Sequence, residues 1–140
     1  MSHADTAQAL AAVLQDHRTQ LIDTLVQQAP AAGSEYAHAS QEELWPRMAS
    51  VVDACIGSIA QQQPDLLGRF MRAAAESRIR EGYSLESLIT LAMFIEGALS
   101  DTAEIAFETQ PADREAARSL IRSLIATAET VLDEATGTGS

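Results

Sequence analysis

The segment SLESLITLAMFIEGAL, residues 84–99, decides how this chain folds. Its apolar positions recur three and four residues apart, as one face of an α-helix requires. They are Leu88, Leu91, Ala92, Ile95 and Leu99, and Ile89 and Phe94 widen the face. Ser84 is a favourable N-cap, and Glu86 in the first turn complements the helix dipole. The segment therefore predicts the most buried helix of an all-α core.

Four more helical segments, and no strand, are predicted on either side of this helix. The five segments span about residues 5–28, 40–63, 65–81, 84–107 and 111–134. The sequence Ser40-Gln-Glu-Glu43 is typical of a capping box at the start of the second segment, and Pro46 lies near its first turn. Pro64 is expected to stop the second segment, and Gly82 to cap the third in a left-handed conformation.

The predicted architecture is all-α, with five or more helices in a globin-like helical bundle. Short connections, such as the polar loop predicted at residues 29–39, fit a bundle or a globin-like packing. Periodicity does not choose between the two, but the wide apolar face of residues 84–107 favours the globin-like arrangement. Residues 1–134 are expected to form one domain, and residues 135–140 have the composition of a flexible tail.

Charge and composition argue against several classes of function. The 140 residues include 20 acidic side chains, nine arginines and no lysine, and the formal net charge is −11. This charge repels nucleic-acid backbones and anionic membrane surfaces, whereas it tolerates basic protein partners. No apolar run is long enough to cross a bilayer, the first residues do not resemble a secretory signal, and the single cysteine, Cys55, forms no internal disulfide. A cytoplasmic protein is therefore expected.

The histidines do not indicate a metal or haem site. His3, His17 and His38 do not stand at metal-ligand spacing. His17 falls on the apolar stripe of the first segment, where a hydrogen-bonded core residue is the usual role. A haem-binding globin needs a ligand, usually histidine, on a late helix, and the third to fifth segments contain none. Met93 and Cys55 remain only as formal ligands, so no metal and no cofactor are expected.

No catalytic constellation is visible along the chain. Cys55 lies mid-helix between Val52 and Ile56, where burial raises the thiol pKa and makes the thiol unreactive. Acidic pairs such as Glu42 with Glu43 are typical of solvated faces in an acidic protein. A phosphate-binding loop needs clustered glycines close to a lysine, and this chain has no lysine. A non-catalytic protein is predicted. An enzyme that acts on a small molecule within a helical bundle would need a buried acid or histidine with a perturbed pKa in a cleft.

Four large side chains are candidates for the lining of a ligand pocket. They are Trp45, Phe70, Met71 and Phe94. Small-molecule sites are lined mostly by apolar and aromatic side chains. The same residues also fill an ordinary core, which is the interpretation we favour, and the pocket is the alternative.

Two charge stripes mark the last two segments. Asp101, Glu104 and Glu108 follow one side of the fourth, and Arg114, Arg118 and Arg122 border the apolar stripe of the fifth. Like charges at this spacing destabilise an isolated helix by about 0.2–0.5 kcal/mol per pair, so each stripe invites a partner. The two stripes pair with each other if the helices form an antiparallel hairpin, which is the interpretation we favour. Otherwise the arginines form an interaction strip for another subunit or domain.

Residues 73–99, which begin AAAESRIREGYSLESL and continue as the long apolar helix, carry a resemblance to a known family. A helix ending in Arg78-x-x-x-Gly82, followed by a helix capped by Ser84 with a Leu-x-x-Leu start, resembles the N-terminal domain of stressosome RsbR-type proteins. These proteins are co-antagonists of the switch kinase RsbT, and related domains precede some bacterial sensor kinases and transcription regulators. The resemblance implies a globin-like fold without haem, a homodimer, and a sensory input module that acts on a protein partner or output domain.

The chain also departs from the family's pattern. It reaches Ser140 without a STAS domain, a kinase or a DNA-binding module, so an isolated or excised input domain is expected. A haem- or tetrapyrrole-binding globin-type sensor is the alternative. The motif has, in addition, a physical explanation that needs no ligand. Gly82 permits a positive φ and a sharp reversal, Ser84 starts the next helix at once, and Arg78 complements the C-terminal dipole.

Overall fold

The computed structural model describes the backbone of residues 3–137 and the side chains of residues 5–134. The helices are α1 (His3–Asp16), α2 (Arg18–Gln28), a 3₁₀ turn (Ala29–Ala32), α3 (Ser34–Ala37), α4 (Gln41–Ala60), α5 (Pro64–Arg80), α6 (Leu85–Ala106) and α7 (Pro111–Gly137). No strand occurs within residues 3–137. The prediction of an all-α fold with five or more helices is therefore confirmed, and the globin-like arrangement stays a prediction.

The first predicted helix is interrupted at His17, which separates α1 from α2. The His17 backbone, at φ −107° and ψ 17°, leaves the helical region. Its ring nitrogen Nδ1 lies 2.9 Å from the carbonyl oxygen of Val13, and its side chain is exposed. The prediction of His17 as a core residue is therefore wrong, because the interruption takes its side chain off the apolar stripe.

The segment predicted as a polar loop, residues 29–39, is largely helical. Its 3₁₀ turn is followed by the short helix α3, and Tyr36 within α3 is only 2% exposed. A buried aromatic ring joins this segment to the core, so it is a packed part of the domain.

Both ends of α4 are fixed by local hydrogen bonds. At the start, the Ser40 hydroxyl accepts from the Glu43 N–H at 3.2 Å, as predicted. Pro46, however, is the sixth residue of α4 and lies inside the helix, past the first turn.

At its C-terminal end, α4 stops at Ala60, and Gln62 follows with a φ of 53°. Pro64 begins α5 rather than stopping α4, because proline suits the first turn of a helix.

The apolar stripe predicted on residues 84–99 is buried. Leu91, Ile95 and Leu99 on α6 are at most 7% exposed. α6 packs on α1, α2 and α7, whereas α5 packs on α4 and α7. The consecutive helices α5 and α6 thus pack on α7 rather than closely on each other. This arrangement leaves a cavity between them.

The last helix extends further than predicted. α7 continues to Gly137, into the segment predicted as a flexible tail, and residues 138–140 lie outside the described residues. None of the described helices is both long and apolar enough to span a membrane.

Candidate functional site

The corner between α5 and α6 has the conformation that the sequence predicts. Gly82 has a φ of 97°, in the left-handed region. The Gly82 N–H donates to the carbonyl oxygen of Ile79 at 3.0 Å, and the Tyr83 N–H donates to that of Arg78 at 2.9 Å. This pair of bonds is the Schellman motif, which satisfies carbonyls that a helix end leaves free. The chain reverses here and α6 begins after Ser84.

A carboxylate from a distant helix completes the start of α6. The Ser84 hydroxyl accepts from the Ser87 N–H at 3.1 Å, which confirms Ser84 as the N-cap. Glu35 of α3 accepts from the Ser84 N–H at 2.8 Å and from the Ser87 hydroxyl at 3.0 Å. These bonds, the Ser84 N–H first among them, lower the pKa of Glu35 to about 2. An ionised carboxylate therefore sits at the positive end of the α6 dipole.

Two tyrosines connect α3 to the corner. The rings of Tyr36 and Tyr83 meet edge to face, with centroids 4.9 Å apart and an angle of 69° between their planes. Such pairs contribute stabilisation beyond the apolar area that they bury. Burial raises the pKa of the Tyr36 phenol far above its usual value, so this phenol stays protonated.

Two arginines converge on Glu81, the residue after α5. Arg78 Nη1 lies 2.9 Å from Glu81 Oε2, and Arg47 Nη2 of α4 lies 3.4 Å from Glu81 Oε1. Arg47 also donates to the Tyr83 hydroxyl at 3.1 Å. The Arg78 guanidinium carbon is 6.0 Å from the centre of the Tyr83 ring, within the range of a cation–π contact. The corner is thus joined to α4 as well as to α3.

A cavity of about 360 Å³ adjoins this corner, between α4, α5 and α6. The predicted pocket residues Phe70 and Met71 line it. Trp45 and Phe94 do not. Trp45 is 38% exposed, and its indole N–H donates to Asp23 at 3.3 Å, while Phe94 is half-buried against the core. Neither lines this cavity, and their role in a ligand pocket stays a prediction.

The two charge stripes meet through a single described arginine. Arg118 of α7 forms an ion pair with Glu104 of α6 and lies 3.5 Å from Glu115. Arg114 is half-buried and Arg122 is exposed, and neither has an ion pair within residues 5–134. The favoured pairing across α6 and α7 therefore holds for Arg118, and the interaction strip stays a prediction for the other two.

The remaining candidate ligands and nucleophiles lie apart from the cavity. Cys55 is fully buried, and burial raises its pKa to about 12, as the sequence predicts. Met93 is 59% exposed, and the exposed His38 has Nδ1 2.6 Å from the Ser34 carbonyl oxygen. The side chain of His3 lies outside the described residues. Within the described part of the chain, no three His, Cys, Asp or Glu side chains group as a metal site.

Sequence reasoning missed Glu35, Tyr36 and Arg47. Glu35 and Tyr36 lie in residues 29–39, which the sequence predicts to be a loop, and the large aromatic Tyr36 among small residues is the signal that this segment is packed. Arg47 has no such signal, because nothing in the spacing of α4 relates it to a corner more than 30 residues later.

The chain matches no protein-family model, and neither a curated protein nor a solved structure is detectably similar to it. The resemblance of residues 73–99 to the RsbR-type domain therefore stays a prediction.

Proposed function

We propose that this chain is a non-catalytic sensory domain that binds a small molecule in the cavity and responds through the α5–α6 corner. The observation that carries the proposal is the position of Arg78, which lines the cavity and also contributes the carbonyl that caps α5. A ligand that prefers one arrangement of α5 and α6 shifts the population towards it. Occupancy of the cavity is thereby coupled to the conformation of the corner.

The proposal extends to the context that the sequence resemblance implies. The domain is a non-haem, globin-like input module of bacterial stress signalling, and it acts as a homodimer on a protein partner or output domain. Arg114 and Arg122 are the proposed interaction strip, because their charges have no ion-pair partner within the described residues.

The chemistry of the cavity supports binding rather than catalysis. Its described lining contains no carboxylate, imidazole or thiol. Tyr36 is the lining residue whose pKa is shifted, and the shift keeps its phenol protonated rather than making it a base. General acid–base or nucleophilic catalysis would instead need a group whose pKa is shifted towards neutral pH.

The first test is an absorption spectrum and a light-scattering mass of protein purified from haem-replete cells. We expect a colourless dimer of about twice the 15.0 kDa chain mass. A Soret band would overturn the non-haem assignment in favour of the haem or tetrapyrrole sensor. A colourless monomer would contradict the homodimer.

The second test asks whether the cavity binds ligands at all. Small apolar molecules with anionic, neutral and cationic head groups are screened for an increase in melting temperature. A ligand at 100 times its Kd stabilises the folded state by about 2.7 kcal/mol. We expect at least one compound to do so and to slow amide exchange at residues 78–88. The variant Ala74→Trp, which fills the cavity from α5, is expected to abolish the effect, and Ala126→Trp on the exposed face of α7 to preserve it. A screen without any stabilising compound would overturn the proposal.

A further inference from the structure

Two arginines of the cavity lining lie close together, since both contact Glu81. Arg47 and Arg78 are the charged residues of its described lining. Their side chains are 30% and 20% exposed, whereas Glu81, which both contact, is 43% exposed. The two cations therefore lie deeper in the protein than the carboxylate that they share.

The hydrogen-bonding capacity of Arg78 is incompletely used. Its Nη2 donates to the Ser77 hydroxyl at 3.4 Å, a long bond. Its Nη1 is shielded from solvent, and although Glu81 Oε2 lies 2.9 Å away, no aligned hydrogen bond forms. A guanidinium carries five N–H donors, and buried donors in proteins are normally satisfied. Arg78 thus keeps hydrogen-bonding capacity that its present partners do not use, and it is a residue of the cavity lining.

The local charge favours an anion. The next carboxylate, Glu35, is already held by the Ser84 N–H and by the hydroxyls of Ser34 and Ser87. The Tyr36 phenol is neutral. Neither Glu35 nor Glu81 belongs to the described lining, so the charges that border the cavity directly are the two positive ones of Arg47 and Arg78, in a chain whose net charge is −11. A carboxylate suits this position because arginine binds planar carboxylates with two parallel bonds.

The rest of the cavity is apolar. Its walls include Phe70, Met71, Leu88, Leu91, Ile95 and Leu132. Its volume of about 360 Å³ lies within the range of small-molecule sites. We infer, resting on the proposed function, that the ligand is a small organic monocarboxylate with a hydrocarbon body. The head group binds Arg47 and Arg78, and the hydrocarbon body lies against the leucines of α6 and α7.

The inference is tested on the full chain with three probes of equal length: octanoate, 1-octanol and octylammonium. Isothermal titration calorimetry gives each Kd. We expect octanoate to bind about tenfold or more tightly than 1-octanol, since hydrogen bonds to charged groups are the stronger ones. Octylammonium is expected to bind most weakly, because the arginines repel it.

Variants of the two arginines test whether the carboxylate head group of octanoate binds to them. Arg78→Gln is expected to weaken octanoate about tenfold and to leave 1-octanol unchanged, and Arg47→Gln to act in the same direction. Arg72→Gln removes an equal charge from an exposed position of α5 that does not line the cavity, so it is the matched control. Glu81→Gln removes the competing carboxylate from an exposed side chain and is expected to tighten octanoate binding. This variant keeps the test informative if the arginine variants unfold.

Equal affinity for octanoate and 1-octanol would overturn the inference but leave the cavity as a ligand site. Octanoate binding that survives Arg78→Gln and Ala74→Trp would also overturn it, because the ligand would then sit elsewhere. If none of the three probes binds and the wider screen finds no ligand, the proposed function fails together with the inference.

Discussion

Gln62 and Gly82 end α4 and α5 with the same hydrogen-bonded cap but different side chains. In each cap the next residue donates its N–H to a carbonyl five positions earlier at 2.9 Å. The φ angles are 53° and 97°. A left-handed backbone costs a residue with a Cβ roughly 1–2 kcal/mol. Gln62 therefore bears a conformational cost that Gly82 avoids.

We predict that Gly82→Ala lowers the free energy of unfolding by about 1–2 kcal/mol, and that Gly82→Val lowers it further. A Cβ at this position would meet no atom within 4 Å, so the effect is one of backbone strain. Urea denaturation measures it. The control Gly97→Ala, in open space on α6, is expected to stabilise by up to about 1 kcal/mol. Unchanged melting temperatures for both Gly82 variants would contradict the left-handed conformation of this residue.

Glu35 makes stability depend on pH in the acid range. Its pKa is about 2 in the folded protein and 4.5 as an ordinary glutamate. A carboxyl group whose pKa is lower in the folded than in the unfolded protein makes its full contribution to stability above the unfolded-state pKa. It loses that contribution as the pH falls towards the pKa of the folded state. We predict that Glu35→Gln lowers the melting temperature at pH 7, and that the difference from the native protein shrinks between about pH 4.5 and pH 2.

A second variant, Ser87→Ala, tests whether the hydrogen bonds to Glu35 are the cause of this effect. In a Ser87→Ala background one donor to Glu35 is gone, so Glu35→Gln is expected to cost less than in the native protein. A difference in melting temperature that does not change with pH would contradict the assignment of the α6 cap to the Glu35 carboxylate.

The short helix α3 holds the start of α6 through an unusually close approach. A Cβ placed on Gly33 would lie 2.0 Å from Ser87 Oγ and 2.9 Å from Ser87 Cβ. The φ of Gly33 is 172°, an extended backbone that any residue adopts, so space rather than conformation requires glycine. The contact is close because Glu35, two residues later, must reach the Ser84 N–H.

We predict that Gly33→Ala destabilises the protein by about 1–3 kcal/mol, the usual cost of overpacking, because it forces α3 away from α6. Chemical denaturation gives the magnitude, and faster amide exchange at residues 84–88 locates the effect. Gly57→Ala is the matched control, since a Cβ there, in the last turn of α4, meets no atom within 4 Å. Equal stability of the two variants would show that α3 does not pack as described.

The fold as a whole depends on α6, which contacts helices from both ends of the chain. Leu99 is 1% exposed at this centre, whereas Met93 on the opposite face is 59% exposed. A domain of this size has only about 5–15 kcal/mol of stability, so one core truncation removes a large part of it.

We predict that Leu99→Ala costs about 2–5 kcal/mol, from lost burial and the void it leaves, and that Met93→Ala changes stability by less than about 0.5 kcal/mol. Thermal and urea unfolding followed by circular dichroism measure both. A large loss from Met93→Ala would mean that the exposed face of α6 is buried in an assembly, which would support the homodimer.

Local sequence determined where most helices begin and end. The Ser40 and Ser84 caps and the left-handed Gly82 were all predictable, because each acts on backbone groups within a few residues. The buried stripe of α6 followed from its periodicity. The prediction for His17 failed because the helix is interrupted at this residue, and the prediction for Pro64 failed because α4 ends at Ala60 and proline suits the first turn of α5.

The tertiary structure alone decided the site. Glu35 reaches a residue 49 positions later, and Arg47 reaches Glu81 across a comparable separation. Periodicity indicates which face of a helix is buried, but it does not indicate which other helix meets that face. Phe70 therefore lines the cavity and Trp45 does not, although the sequence offers both as pocket candidates. The cavity exists because α5 and α6 both pack on α7, and that choice depends on the summed packing of all the helices rather than on any one segment.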